Sequence, residues 1–159
     1  MEKVNLILHN KKFRKYIQKN MVLEKNRIFC RHDICHILDV ARIAYIINLE
    51  NSFHLQKELI YAVAMLHDIG RWKEYEENIP HNIASAEIST DILNECGFSS
   101  QQINAAAEAI KNHRGKNVRR DILSEIIYIG DKISRNCFCC NAAKECNWPD
   151  EKKNHGITY

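Results

Sequence analysis

Six residues of this chain carry metal-capable side chains where a helical protein would bury them: His36, His67, Asp68, His81, His113 and Asp131. His36 lies within one apolar stretch, and His67-Asp68 closes another in "MLHDIGRW" (65–72). His81 opens a third segment, His113 ends a fourth, and Asp131 sits inside an isoleucine-rich fifth. A polar group left unpaired in a core costs on the order of 1–3 kcal/mol, and a bare carboxylate more, so such residues require partners. A shared metal site satisfies all of them at once. Imidazole nitrogens and carboxylate oxygens suit Fe, Mn, Zn, Ni or Co, and no cysteine is implicated in the set. Neighbours inside a helix point about 100° apart. At a helix end the last residue turns back, which lets His67 and Asp68 approach one ion. A carboxylate has two oxygens and can bridge a second ion. Two ions roughly 3.5–4 Å apart hold a water, lower its pKa and clamp phosphoryl oxygens, which is the chemistry of phosphate-ester hydrolysis.

The elements that must position these residues follow from apolar periodicity. Phe13, Ile17 and Met21 repeat at helical spacing from Asn10 to about Glu24. From Asp33 to Leu49, Ile34, Leu38, Ala41 and Tyr45 mark one face, with Ile37, Val40, Ala44 and Ile47 beside it. So wide an apolar surface predicts a central, largely buried helix. Residues 55–68 align Leu55, Leu59, Val63 and Leu66, and Gly70 is a natural stop. "RWKEYEENIP" (71–80) is polar, carries two aromatics and closes on proline, which predicts a loop. Residues 82–96 align Ala84, Ile88 and Ile92, with Gly97 as the stop. Ser99-Ser-Gln-Gln102 resembles a capping box, opening a helix through Ile103, Ala106, Ala107 and Ile110 that Gly115 ends. The last helix, 121–135, carries Ile122, Ile126, Ile129 and Ile133 on one stripe, and beyond Asn136 the pattern breaks down. With only two prolines and five glycines, the composition favours helices over a β-sandwich or disorder. The expected fold is all-α, a compact bundle of five or six helices in one domain over 1–159. Its motif-bearing core lies at about 28–135, and a Cys-rich C-terminal extension follows at 136–159.

The pattern His36-x-x-x-Val40-Ala41, then His67-Asp68-Ile69-Gly70, then Asp131 resembles the HD superfamily of metal-dependent phosphohydrolases. "LHDIG" and "YIGDKISR" (128–135) carry the likeness, which covers about residues 28–135. The resemblance implies an HD-domain-like fold in which His36, His67, Asp68 and Asp131 bind the first metal. "PHNIASAEI" and "AIKNHRG" are similar to the positions where some branches carry two further histidines and bind a second ion, often iron or manganese. That implies His81 and His113 as ligands, with Asp68 between the ions. Layout and size are similar to the branch that hydrolyses symmetrical diadenosine tetraphosphate. The His-His pair and Gly-Tyr-Pro signature of the cyclic-dinucleotide branch are missing.

The implied activity is cleavage of a phosphate ester or anhydride of a nucleotide, or of another small phosphorylated substrate, by metal-activated water. Asp68, His67 and Asp131 would be catalytic, with one or two divalent ions (Fe, Mn, Zn, Ni or Co) as cofactor. Arg71 directly after the tetrad, and Lys132 and Arg135 beside Asp131, are placed to bind phosphate. So is His32, four residues before His36 and on the same face of a helix that starts early enough. A non-catalytic metal- or nucleotide-binding regulatory module is the alternative.

Seven cysteines is a high number, and four of them fall in "NCFCCNAAKECNW": Cys137, Cys139, Cys140 and Cys146. The spacing matches neither a standard zinc ribbon nor a ferredoxin run. The favoured expectation is reduced thiols partly packed on the helical body; a separate Cys-bound metal or a thiol-based redox module is the alternative. Cys30 and Cys35 read as core fillers, and His9, His54 and His155 as surface residues. The 23 basic residues are balanced by 20 acidic ones, and a net charge of +3 carries no strong nucleic-acid or anionic-membrane signal. The N-terminal apolar run is too short for a signal-peptide core, and no run approaches the roughly 20 residues that span a bilayer. The expectation is therefore a cytoplasmic protein without membrane contact. Its partner would be a small phosphorylated molecule, a nucleotide foremost, and a homodimer is left open.

Overall fold

Side-chain caps set where several helices begin. The Asn10 side chain accepts from the N–H groups of Lys12 and Phe13, and that of Asp33 from Cys35 and His36. Ser99 and Gln102 form the expected capping box, and Asp121 accepts from Ser124 N–H. The computed structural model describes residues 1–115 and 120–159, and among them it is all-helical. The elements are α1 (Glu2–His9), α2 (Lys11–Leu23), α3 (Ile34–Glu50), α4 (Lys57–Leu66), α5 (Arg71–Glu77), α6 (His81–Glu95), α7 (Ser100–Asn112) and α8 (Ile122–Ile133). Two short 3₁₀ turns follow at Cys137–Cys139 and Asp150–Lys152. No helix among the described residues is long and apolar enough to cross a membrane.

These are eight α-helices where periodicity predicts five or six, and the additional ones are α1 and α5. Helix α1 buries only Val4 and Ile7. Helix α5 occupies most of the segment expected to be a loop. It buries a single residue, Trp72, which stacks on Tyr16 of α2 with ring centroids 5.5 Å apart. One buried residue in seven leaves no stripe for periodicity to detect. Asn78, in the left-handed region at φ 57°, ends it.

The most enclosed helix is α4, not α3. Ala62 to Leu66 are all fully buried, and α4 meets α1, α3, α6, α7 and α8. Helix α3 flanks it, packed on α4 and α8, with Leu49 exposed. Helix α8 turns a different face inward from the one its isoleucines suggest. Leu123, Ser124, Ile126, Ile127, Gly130 and Asp131 are buried, whereas Ile122 is exposed. The inner face carries small and polar residues because it must approach α3 closely: a Cβ on Gly130 would lie 3.1 Å from the Val40 carbonyl oxygen.

Gly70 likewise serves proximity. Helix α4 ends before it, at Leu66, and the φ of Gly70 is an ordinary −90°. A Cβ there would lie 2.5 Å from Ser85 N and 2.7 Å from the Ala84 carbonyl carbon, and Gly70 N–H donates to Ser85 Oγ at 2.8 Å. The start of α6 is thereby pressed against the turn that carries His67 and Asp68. From the other side, the buried Asn20 of α2 stitches the same turn. Its Nδ2 donates to the Asp68 carbonyl at 3.0 Å, and its Oδ1 accepts from Trp72 N–H at 2.9 Å.

Candidate metal centre

Five elements deliver the six candidate ligands. His36 comes from the first turn of α3, His67 and Asp68 from the C-terminal end of α4, His81 from the first residue of α6, His113 from the C-cap of α7 and Asp131 from the last turn of α8. The structure brings all six together as two overlapping sets. His36, His67, Asp68 and Asp131 each offer an atom within 4.8 Å of the others, and so do Asp68, His81 and His113. Asp68 belongs to both sets, and its two oxygens face different ways. Its Oδ2 lies 3.3 Å from His67 Nε2 and 3.9 Å from His36 Nε2. Its Oδ1 lies 3.2 Å from His81 Nε2 and 3.7 Å from His113 Nε2. His36 Nε2 in turn lies 3.5 Å from Asp131 Oδ1.

The ring nitrogens are sorted in the same way in all these histidines. Each Nε2 faces inward and each Nδ1 is tied outward. His67 Nδ1 donates to the Ala64 carbonyl at 2.7 Å, and His113 Nδ1 to the Ile110 carbonyl. A carbonyl only accepts, so the proton sits on Nδ1 and the Nε2 lone pair points to the centre. His81 Nδ1 is bonded to Glu74 Oε2, and His36 Nδ1 approaches Ser134 Oγ at 3.4 Å. His36 Nε2, His67 Nε2 and Asp68 Oδ1 are buried without a hydrogen-bond partner. The two imidazole nitrogens lie in the first set and Asp68 Oδ1 faces the second, so each set holds buried polar atoms that are costly to leave unpaired in a core and that a cation would satisfy. The donor set of imidazoles and carboxylates therefore fits divalent metal ions.

The electrostatics agree with this donor set. Burial works to raise the Asp68 carboxyl, but the His67 and His32 rings hold it well below the usual carboxylate range. Burial opposes ionisation of Asp131 too, and Lys132 and Arg135 beside it overcome that. Burial, reinforced by the neighbouring His67, lowers His36 to about 4. Burial also lowers His81 to about 4, against the pull of Asp68. His67 is the exception: burial works to lower it, but Asp68 outweighs that and raises it. A proton and a cation thus compete for the same His67 nitrogen.

Beside the centre lies a cavity of about 380 Å³. Among the described residues, Arg71, Lys132 and Arg135 line it, as do Arg27 and Arg114, together with Asp68 and Asp131. Arg71 Nη1 sits 3.8 Å from Asp68 Oδ1, Lys132 Nζ 2.6 Å from Asp131 Oδ2, and Arg135 Nη2 3.4 Å from Asp131 Oδ1. His32 also reaches the cavity, but not from the face of α3. That helix starts at Ile34, one turn too late. His32 is held instead by Glu24, whose carboxylate accepts from both His32 N–H and Nδ1 at 2.7 Å. Its Nε2 then lies 3.7 Å from Asp68 Oδ2.

Glu24 and Glu74 are the residues that sequence reasoning missed. Burial works to raise the Glu24 carboxyl, but its bonds to His32 bring it down to about 2. Burial raises Glu74 as well, and His81 with Arg114 brings it down to about 2. Each is an ionised carboxylate behind an imidazole. Glu24 caps α2 while His32 precedes α3, and Glu74 lies in α5 while His81 opens α6, so each pair spans a break between elements and no spacing within one helix reveals it.

Two of the cysteines, Cys30 and Cys35, depart from the expectation that they fill the core. Both are exposed, and the buried one is Cys96. Helix α3 turns His36 and Ile37 toward the interior, which leaves Cys35 outside. Cys137, Cys140 and Cys146 are half-buried, Cys139 is exposed, and all are free thiols. Neither ligand set found among the described residues includes a cysteine.

The family model described as HD domain matches residues 33–136, which include all six candidate ligands. An uncharacterized protein of Clostridium beijerinckii is 43% identical over 159 residues, the full length of both chains. A deoxyguanosinetriphosphate triphosphohydrolase-like protein of Clostridium tetani is 30% identical over 128 residues, covering 77% of this chain and 33% of that protein. No solved structure matches.

Proposed function

The chain belongs to the HD domain family, a superfamily of metal-dependent phosphohydrolases, and from that premise we propose that it cleaves a phosphate ester or anhydride of a nucleotide or other small phosphorylated molecule with divalent metal, which His36, His67, Asp68 and Asp131, and Asp68 with His81 and His113, would hold. The observation that carries this reading is the shared carboxylate. Asp68 turns one oxygen to His36 and His67 and the other to His81 and His113. Asp131 completes the first set.

Ions held there supply Lewis acidity, neutralising phosphoryl oxygens and lowering the pKa of water. The chain's own residues do the rest. Nδ1 bonds fix the imidazoles, so the Nε2 lone pairs need no reorientation when a ligand arrives. Asp68 and Asp131 are held ionised, which suits them as ligands and as acceptors that orient a water rather than as strong bases. Arg71, Lys132 and Arg135 offset the charge of a phosphoryl group in the cavity. His32, oriented by Glu24, presents Nε2 to a phosphoryl or leaving oxygen.

The test is phosphate release from a panel of nucleotides and an aryl phosphate, by protein loaded in turn with Mn and Fe. Turnover that disappears on chelation and in His67→Ala and Asp68→Ala proteins is the expected result. Bound metal without turnover of any panel member would replace this reading with that of a non-catalytic binding module.

A further inference from the structure

The candidate ligands lie between residues 36 and 131, but part of the cavity wall facing them comes from outside the stretch that matches the family. Arg27 and Phe29 contribute from before it, Asn147 and Trp148 from after it. Trp148 is half-buried. Its indole lies against the Arg135 guanidinium, 3.9 Å from Cζ to ring centroid, with Lys132 Nζ at 5.8 Å. These are the two cations that hold Asp131. Phe29 sits similarly, 5.9 Å from the Arg27 guanidinium. Two aromatic rings are therefore set among phosphate-compatible cations, in the cavity that opens on the metal centre.

The segment carrying Trp148 is fastened at both ends. It leaves α8 directly, and Asn154 Nδ2 returns to donate to the carbonyls of Lys132 and Arg135, at 2.9 and 2.7 Å. The Lys132 carbonyl belongs to the last turn of α8, where no helical partner remains for it, and the Arg135 carbonyl, just beyond that helix, also accepts from Cys137 N–H at 2.9 Å. Within the segment, Lys153 Nζ donates to the Ala143 carbonyl at 3.1 Å and Ala142 is buried. The Cys-rich segment is thereby a fixed wall of the cavity.

We propose that residues 136–154 form the substrate-recognition wall and that Trp148 binds the substrate directly, taking a flat aromatic group attached to the phosphoryl group that Arg135 and Lys132 face. The inference rests on the phosphohydrolase reading in sharing its cavity, and it adds which part of the chain selects the substrate. An indole beside a phosphate-binding guanidinium gives a π-surface to a base or aryl ring. It offers nothing comparable to a bare sugar phosphate.

AMP and ribose 5-phosphate share phosphate and sugar and differ in the base, so together they isolate the indole's contribution. In metal-loaded Trp72→Phe protein, Trp148 is the remaining tryptophan, and the indole N–H removed has no partner to leave orphaned. Stopped-flow fluorescence is expected to show quenching of Trp148 by AMP and none by ribose 5-phosphate. By calorimetry, Trp148→Ala is expected to weaken AMP binding on the order of tenfold and to leave ribose 5-phosphate within about twofold, with Trp148→Phe recovering most of the loss. Equal weakening of both ligands would mean that the indole acts only through Arg135, and would overturn the proposal. So would emission that ignores AMP, or an unchanged AMP affinity in Trp148→Ala. Should Trp148→Ala fail to fold, the fluorescence comparison decides alone. Phosphate release is followed alongside binding, so discrimination by a protein that releases none would remove the hydrolase reading and keep this one. Turnover without discrimination would do the reverse.

Discussion

On its Oδ2 side Asp68 meets His36 and His67, which are rooted with Asp131 in helices that pack on one another. On its Oδ1 side it meets His81 and His113, which stand at the start of α6 and the end of α7. The supports differ accordingly. His67 is fully buried and bonded to the carbonyl of its own helix. His81 leans on Glu74, which is 30% exposed and held in turn by Arg114, 51% exposed. His113 on the second side is anchored as His67 is, by its own helix carbonyl, so the difference lies in His81, which rests on an ion-pair chain reaching the surface. Surface pairs contribute about 0–1 kcal/mol and yield to salt. A cation on the first side is therefore expected to be retained as part of the fold, and one on the second side to exchange.

The largest effect should come from the residue that both sides share. Asp68→Asn keeps the shape and removes the common charge. Metal analysis should find both ions lost, with activity down on the order of 10⁴-fold, and retention of either ion would break the symmetry assigned to Asp68. Next, His113→Ala should leave an ion that resists chelation, whereas the ion left by His36→Ala should strip at chelator concentrations lower by on the order of tenfold. Equal resistance would erase the distinction between core and surface sides. Glu74→Gln should weaken the second ion by about 10–100-fold through His81 and leave the first untouched. Arg114→Ala, smallest of all, should shift second-ion affinity by no more than about fivefold, an effect that vanishes at high salt.

How far the sequence could be read depended on what each residue does. His36, His67, Asp68, His81, His113 and Asp131 stood out because polar groups inside apolar runs need a common explanation, and the structure gathers them into two sets that share Asp68. The helices with apolar stripes were equally legible, as was the Ser99 cap. Helix α5 was not, because Trp72 alone faces the core. The inner face of α8 was misjudged because hydrophobicity points to isoleucines, while the helix needs Gly130 and Asp131 inside. Gly70 looked like a helix stop, but its role is contact with Ala84 and Ser85 across the fold. Glu24, Glu74 and Trp148 reach the site through tertiary folding, and no local pattern marks that.

The amide of Asn20 has a consequence for where the working unit begins. It lies well upstream of residues 33–136, yet both ends of its side chain are spent on the turn that bears Asp68. A polypeptide trimmed to the matched stretch would take from the Trp72 N–H its partner, at on the order of 1–3 kcal/mol, and from the Asp68 carbonyl one of its two donors, leaving it Arg71 N–H alone. The shortest fragment able to keep this centre in shape is thus longer than the pattern by which its relatives are recognised.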